Sequence, residues 1–155
     1  MTINCPKFLK KNSGFTLIEL LVVIGILAIL LSIVLIAINP ARQFGQANNT
    51  KRRSDVTQIL NAIGAFSADN KGVLPANIPL TTPQVIGDGV GQANICADIL
   101  TTYIPALPRD PQTPGGDITS CTTYSTNYTV VKDANNRVTV AAPGAENGET
   151  ISISR

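Results

Sequence analysis

Apolar positions are distributed very unevenly along this chain. Phe15 to Ile38 is a 24-residue run in which Glu19 is the only charged side chain. At 1.5 Å per residue a helix of that length reaches about 36 Å, enough to cross a hydrocarbon layer of roughly 30 Å. Beyond Pro40 the pattern changes from uniformly apolar to striped. Val56, Ile59, Leu60, Ile63 and Phe66 recur at spacings of three and four, which predicts an amphipathic helix with one apolar face. Gly45 and Asn48-Asn49 weaken the turns before it, and Asp69-Asn70-Lys71-Gly72, ahead of Pro75, predicts where it stops. Pro40 lacks an amide donor, so the two stretches read as one long helix kinked or broken near Asn39.

Residues 73–93 are rich in proline and glycine and read as loop. Within them Gly87-Asp88-Gly89-Val90-Gly91 lacks the Lys-Ser/Thr of a phosphate loop and reads as a plain turn. Asn94 predicts the cap of a short helix running through Ile104, with Ile95, Ile99, Leu100 and Tyr103 inward. Three alternating segments follow, Tyr124 to Val131, Arg137 to Ala142 and Glu149 to Ser154. Asp133-Ala134-Asn135-Asn136 is a hairpin signal, and Pro143-Gly144 with Asn147-Gly148 turns the chain into the last segment. The expected fold is α+β: a long kinked N-terminal helix, transmembrane in its first half, packed on a small three-stranded antiparallel sheet.

Charge and composition narrow the chemistry. The chain carries twelve basic and ten acidic residues, but Lys7, Lys10 and Lys11 precede the apolar run. From Lys71 onward there are five basic and seven acidic residues, so that region has no electrostatic case for binding nucleic acid. The Lys51-Arg52-Arg53 triplet reads as a solvated face, the alternatives being contact with lipid headgroups or with an acidic neighbour. The absence of histidine removes Ser-His and Cys-His nucleophile pairs and every histidine metal site. Carboxylates are sparse, and no enzyme activity is expected. Cys96 and Cys121, in a loop-rich region beyond the apolar run, read as one disulfide, the alternative being two free buried thiols.

The amino terminus carries the most specific signal. In an ordinary secretory signal the cleavage site follows the apolar run. Here the basic stretch leads straight into that run, and no small-residue site follows it. The segment Lys10-Lys11-Asn12-Ser13-Gly14-Phe15-Thr16-Leu17-Ile18-Glu19-Leu20-Leu21-Val22-Val23-Ile24 closely resembles the cleavage and methylation signal of type IV prepilins. That family includes pilins, the pseudopilins of type II secretion and competence pilins. The resemblance implies cleavage between Gly14 and Phe15 by a membrane aspartic prepilin peptidase, followed by N-methylation of Phe15. It also implies that Glu19 pairs with the Phe15 amine of a neighbouring subunit. Physical chemistry agrees: Gly14 lets a peptidase approach the backbone, and an acid within a membrane helix costs a few kcal/mol unless partnered. The alternative for Glu19 is snorkelling to the interface. Gly25 reads as a site of close helix packing.

The chain then divides into a cytoplasmic leader (1–14, cleaved), a transmembrane and filament-core helix (15–38), its amphipathic continuation (39–70) and an extracytoplasmic head (71–155). Tyr103 to Pro111 resembles the segment preceding the terminal sheet in major pseudopilins. Some of those bind calcium near the terminal strands, and Asp110, Asp117 and Asp133 are the calcium candidates here, though their spacing matches no ligand loop. The resemblance implies a structural subunit of a type IV pilus-like filament. Its partners would be copies of itself in a helical homopolymer, the prepilin peptidase, an assembly ATPase, a platform membrane protein and minor pilins. It would sit in the cytoplasmic (inner) membrane before assembly, and in a surface filament or pseudopilus afterwards. The alternatives are the major pseudopilin of a type II secretion system and a membrane-tethered binding protein that never polymerises.

Overall fold

The structure, a computed structural model, describes residues 14–155; the basic leader proposed from the sequence lies outside them save for Gly14. The chain divides into two compact units that meet at Pro40–Ala41.

Among its described residues the first unit holds one helix, α1 (Leu17–Ile38). Thr16 starts it: its backbone is extended, its hydroxyl accepts from the Glu19 amide, and Glu19 reaches back to the Thr16 amide. This reciprocal arrangement satisfies two amides that would otherwise lack helical partners. Every residue after it is apolar or small up to Asn39, which turns left-handed (φ 45°) and ends the helix. Pro40 explains the position of the break, since it disfavours helical backbone in the residue before it while suiting the first turn of a new helix.

The second unit holds α2 (Pro40–Asp69) and a four-stranded antiparallel sheet in the order β1 (Gln84–Gly87), β2 (Ser125–Lys132), β3 (Val138–Ala142), β4 (Ile151–Ser154). The α2 stripe packs as its period requires: Val56, Ile59, Leu60 and Ile63 are buried, and Phe66 meets Tyr103 edge-on at 5.9 Å between ring centroids. Beyond Asp69 the Gly72 amide returns to the Ser67 carbonyl, with Lys71 and Gly72 at positive φ, closing the helix C-terminus. The strands alternate. Tyr128, Val130, Val138 and Val140 enter the core, where Ile86, Ile95, Ile99 and Leu107 join them.

Two expectations about the elements are corrected. The sheet has four strands, not three. β1 lies inside the stretch read as loop; it is only four residues long and pairs with β2 through Gln84–Val130 and Val85–Thr129 before its register shifts ahead of Gly87. So short an edge strand with two apolar residues has no alternation to detect. The helix expected from Asn94 to Ile104 is a single turn, α3 (Cys96–Ile99). Asn94 does not cap it: its side-chain oxygen accepts from the Tyr124 hydroxyl (2.9 Å), and Thr101, at φ 68°, turns the chain away.

The Gly87–Gly91 segment is a turn closed by Gln92, whose side-chain oxygen accepts from the Gly89 amide. Glycine is required at position 87, where a Cβ would come within 2.9 Å of the Tyr124 carbonyl oxygen.

Candidate functional site

The sequence directs attention to two places: the start of α1 and the acids and cysteines of the second unit. At the first, Gly14 and Phe15 precede the helix and are exposed, Phe15 at 92%. Among the described residues nothing lies within 4 Å of where a Gly14 side chain would be. Glu19 is held by Thr16, from whose amide (2.9 Å) and hydroxyl (2.8 Å) one carboxylate oxygen accepts. Within the isolated chain the acid thus has a local partner one turn away, which the sequence reading did not identify. The Thr-x-x-Glu spacing was the available signal.

None of the α1 residues is buried, and the helix is long and apolar enough to cross a membrane. Leaving its 17 exposed large apolar side chains in water would cost far more than a small domain's net stability, at about 25 cal/mol per Å². Such a surface requires lipid or other protein around it.

In the second unit Cys96 and Cys121 are joined in a disulfide, with Cα atoms 5.7 Å apart across 25 residues of sequence. The bond ties α3 to the loop before β2, and of the two readings open for these cysteines it excludes free thiols.

Of the basic triplet, Lys51 and Arg53 lie on an exposed face as the sequence suggested, but Arg52 does not. Each member finds acidic partners elsewhere in its own unit. Lys51 pairs with Asp55 (2.9 Å) and lies 3.8 Å from Asp117, and Arg53 pairs with Glu149 (2.6 Å). Arg52 is fully buried. Its Nε and Nη2 donate to the two oxygens of Asp110 (2.7 and 3.0 Å), and its Nη1 donates to Glu146 (2.8 Å) and Asn49 (3.0 Å). The fork matches a carboxylate with two parallel bonds, the strongest geometry available to this pair. Hydrogen bonding to Asp110 holds the guanidinium above its ordinary pKa despite burial. Burial pushes Asp110 up, but the bonds from Arg52 and the Gln112 amide, with the charge of Arg52, outweigh it and leave this carboxyl below its usual range. Glu146 is lowered too, by Arg52 and then by the Asn48 side chain.

A second buried contact adjoins this cluster. The Tyr128 hydroxyl donates to Asp55 at 2.7 Å, and burial, followed by that bond to an anion, raises its pKa. The sequence offered one clue to these groups: Arg52 stands on the same helical line as Val56, Ile59 and Ile63. A cation on an apolar stripe implies a buried counter-charge.

The three calcium candidates are not drawn together. Asp110 is engaged by Arg52, Asp117 lies near Lys51, and Asp133 shapes the β2–β3 turn by accepting from the Asn135 and Arg137 amides (both 2.8 Å). Among the described residues no group of three or more His, Cys, Asp or Glu side chains is placed to hold a metal ion. Calcium takes six to eight oxygens, and these three carboxylates are not placed to supply them together.

Comparison with known proteins joins these observations. Residues 9–35 match the model of the prokaryotic N-terminal methylation motif. The chain is 32% identical over 106 residues to the type II secretion system core protein G of Aeromonas hydrophila, an alignment covering 66% of this chain and 68% of that protein. No solved structure matches it. With a methylation motif leading into a fully exposed apolar helix and an α+β unit behind it, the chain belongs to the pilin and pseudopilin family and is a structural subunit of the pilus-like or pseudopilus kind.

Proposed function

We propose that this chain is made as a membrane-anchored precursor, cut between Gly14 and Phe15, methylated at Phe15, and polymerised through α1 into the short pilus-like filament of a secretion machine. The observation that carries the reading is the wholly unburied apolar helix with one acid near its start. Lipid covers such a helix before assembly, and the helices of other copies cover it in a filament core. Glu19 then exchanges its Thr16 partner for the Phe15 amine of a neighbour, and in apolar surroundings that pair fixes the axial register. The head stays outside the membrane. Extraction of the helix from lipid calls for a motor ATPase and a platform membrane protein, and the subunit is the substrate of an enzyme and no enzyme itself.

The secretion reading is supported by the extent of the similarity to protein G, most of whose 106 aligned residues lie beyond the 27 of the methylation motif. A surface pilus is the second reading, favoured by the Cys96–Cys121 disulfide, which suits an exposed filament. Mass spectrometry and electron microscopy of sheared surface material separate them. Long filaments built of a chain beginning at methylated Phe15 support the pilus, whereas a cut chain that stays with the membrane supports the secretion filament. A chain left uncut beside an active prepilin peptidase would overturn both. Glu19→Ala is expected to insert normally but to assemble poorly, and normal filaments from it would refute the pairing.

A further inference from the structure

We propose that the guanidinium of Arg52 is the structural cation of this head, gathering by itself the acidic loops that a bound divalent metal would otherwise have to hold. Four oxygens from three separate segments converge on it: both of Asp110, one of Glu146 and that of the Asn49 side chain, all at 2.7–3.0 Å. Asp110 lies 58 residues from Arg52 in sequence and Glu146 lies 94, so the fork ties α2 both to the loop ahead of β2 and to the β3–β4 connection.

The oxygens around it are already engaged by donors. Asp110 Oδ1 also accepts from the Gln112 amide, Glu146 Oε2 from the Asn48 side chain, and Asn49 Oδ1 from the Glu146 amide, each at 2.9 Å. The Asn49 amide group closes the circuit on the Glu146 carbonyl (2.9 Å). A calcium ion would have to displace a covalently anchored positive charge to reach them. The backbone also comes close: a Cβ on Gly144 would stand 3.0 Å from Asp110 Oδ2 and 3.6 Å from Arg52 Nη2, so the β3–β4 connection passes directly against the pair. Guanidinium supplies four of its five N–H donors here in a planar fork, which specifies direction as well as charge. A spherical ion would specify only distance. The consequence is a head whose fold is indifferent to calcium.

The test uses the full chain in detergent, unassembled, so its outcome does not depend on whether the chain polymerises. Thermal unfolding is followed by near-ultraviolet circular dichroism of the tyrosines, with EDTA and with millimolar calcium chloride. Calcium held a hundredfold above the dissociation constant of a structural site would raise the Tm of a domain this size by on the order of 10 °C. The expected result is the same Tm in both solutions. Arg52→Ala is expected to lower Tm, and guanidinium chloride at tens of millimolar, far below denaturing levels, to restore part of the loss where equal sodium chloride does not. Arg52→Lys, which keeps the charge and loses the fork, is expected to fall between. A wild-type Tm that rises with calcium and falls with EDTA would overturn the proposal, as would an Arg52→Ala chain as stable as wild type.

Discussion

Asp110→Asn isolates one half of the buried pair. The substitution keeps size and one acceptor oxygen but leaves the guanidinium of Arg52, which is wholly buried, without its main counter-charge. Removing one partner of a buried ion pair costs about 3–5 kcal/mol, and the retained acceptor and Glu146 place this case near 3. The unit from Ala41 to Arg155 has a net stability of roughly 6–17 kcal/mol at the usual 0.05–0.15 per residue. The loss is therefore a large share of the whole and corresponds to a fall in Tm of about 10 °C. Urea unfolding of the chain in detergent, read by tyrosine dichroism, measures it. The pH dependence supplies an independent check. Asp110 titrates below its ordinary value in the folded chain, so the unfolded chain binds a proton first as pH falls. The contribution of the pair is complete above the unfolded carboxyl pKa of about 4 and is lost as pH falls through the lower folded value. The gap between wild type and Asp110→Asn is thus full at neutral pH and narrows in acid. A cost below about 1 kcal/mol, as for a surface pair, or a gap that acid leaves unchanged, would refute the reasoning.

Three further outcomes follow from the same head. Cys121→Ser is expected to destabilise it by roughly 3 kcal/mol, because the bond closes a 25-residue separation, and dithiothreitol should reproduce the shift in wild type but not in the variant. Tyr128→Phe removes a buried hydroxyl that donates to Asp55 and is expected to cost about 1.5–3 kcal/mol in denaturant unfolding, without altering secondary structure by far-ultraviolet dichroism. Thr101→Gly is expected to raise stability by up to about 1 kcal/mol, since an exposed β-branched residue at φ 68° is replaced by one that accepts that backbone freely; a loss in the same unfolding assay would show that the threonine side chain contributes something its geometry does not reveal.

Elements set by a repeating pattern were legible in the sequence. The α2 stripe, strands β2, β3 and β4 and the break before Pro40 each follow from a period or from one stereochemical constraint. β1 was not legible, because its burial comes from β2 beside it and not from its own four residues. The helix drawn through Ile104 failed for the opposite reason: its apolar spacing was suitable, but the Cys96–Cys121 bond and the reversal at Thr101 stop it after one turn. At the amino terminus a motif fixed Gly14, Phe15 and Glu19 as positions of interest, while the Thr16–Glu19 capping box passed unnoticed beside the motif's stronger signal. Arg52 was concealed between two other cations, in a triplet that composition assigns to solvent. Its partners lie 58 and 94 residues away, and no local pattern pairs them.

The location of these ties has a physical reason. Between β1 and β2 the chain runs from Asp88 to Tyr124 with one helical turn as its only regular element. Irregular stretches this long are uncommon inside compact domains, because ordering them costs conformational entropy that few backbone bonds offset. Here the stretch is fixed at intervals along its length. Asp88 accepts from the Tyr124 amide, the Tyr124 hydroxyl accepts from the Cys96 amide and donates to Asn94, and the disulfide joins Cys96 to Cys121. Leu107 and Ile118 bridge across the middle, and Asp110 anchors the far side to α2 through Arg52. Aromatic residues make up only 5% of the chain, so the core has little bulk with which to hold such a loop by burial alone. Covalent and charged cross-ties serve in its place, as they do in other small domains. They also fix the loop without placing further apolar side chains on the outer surface of a protein whose exposed apolar area is already concentrated in α1.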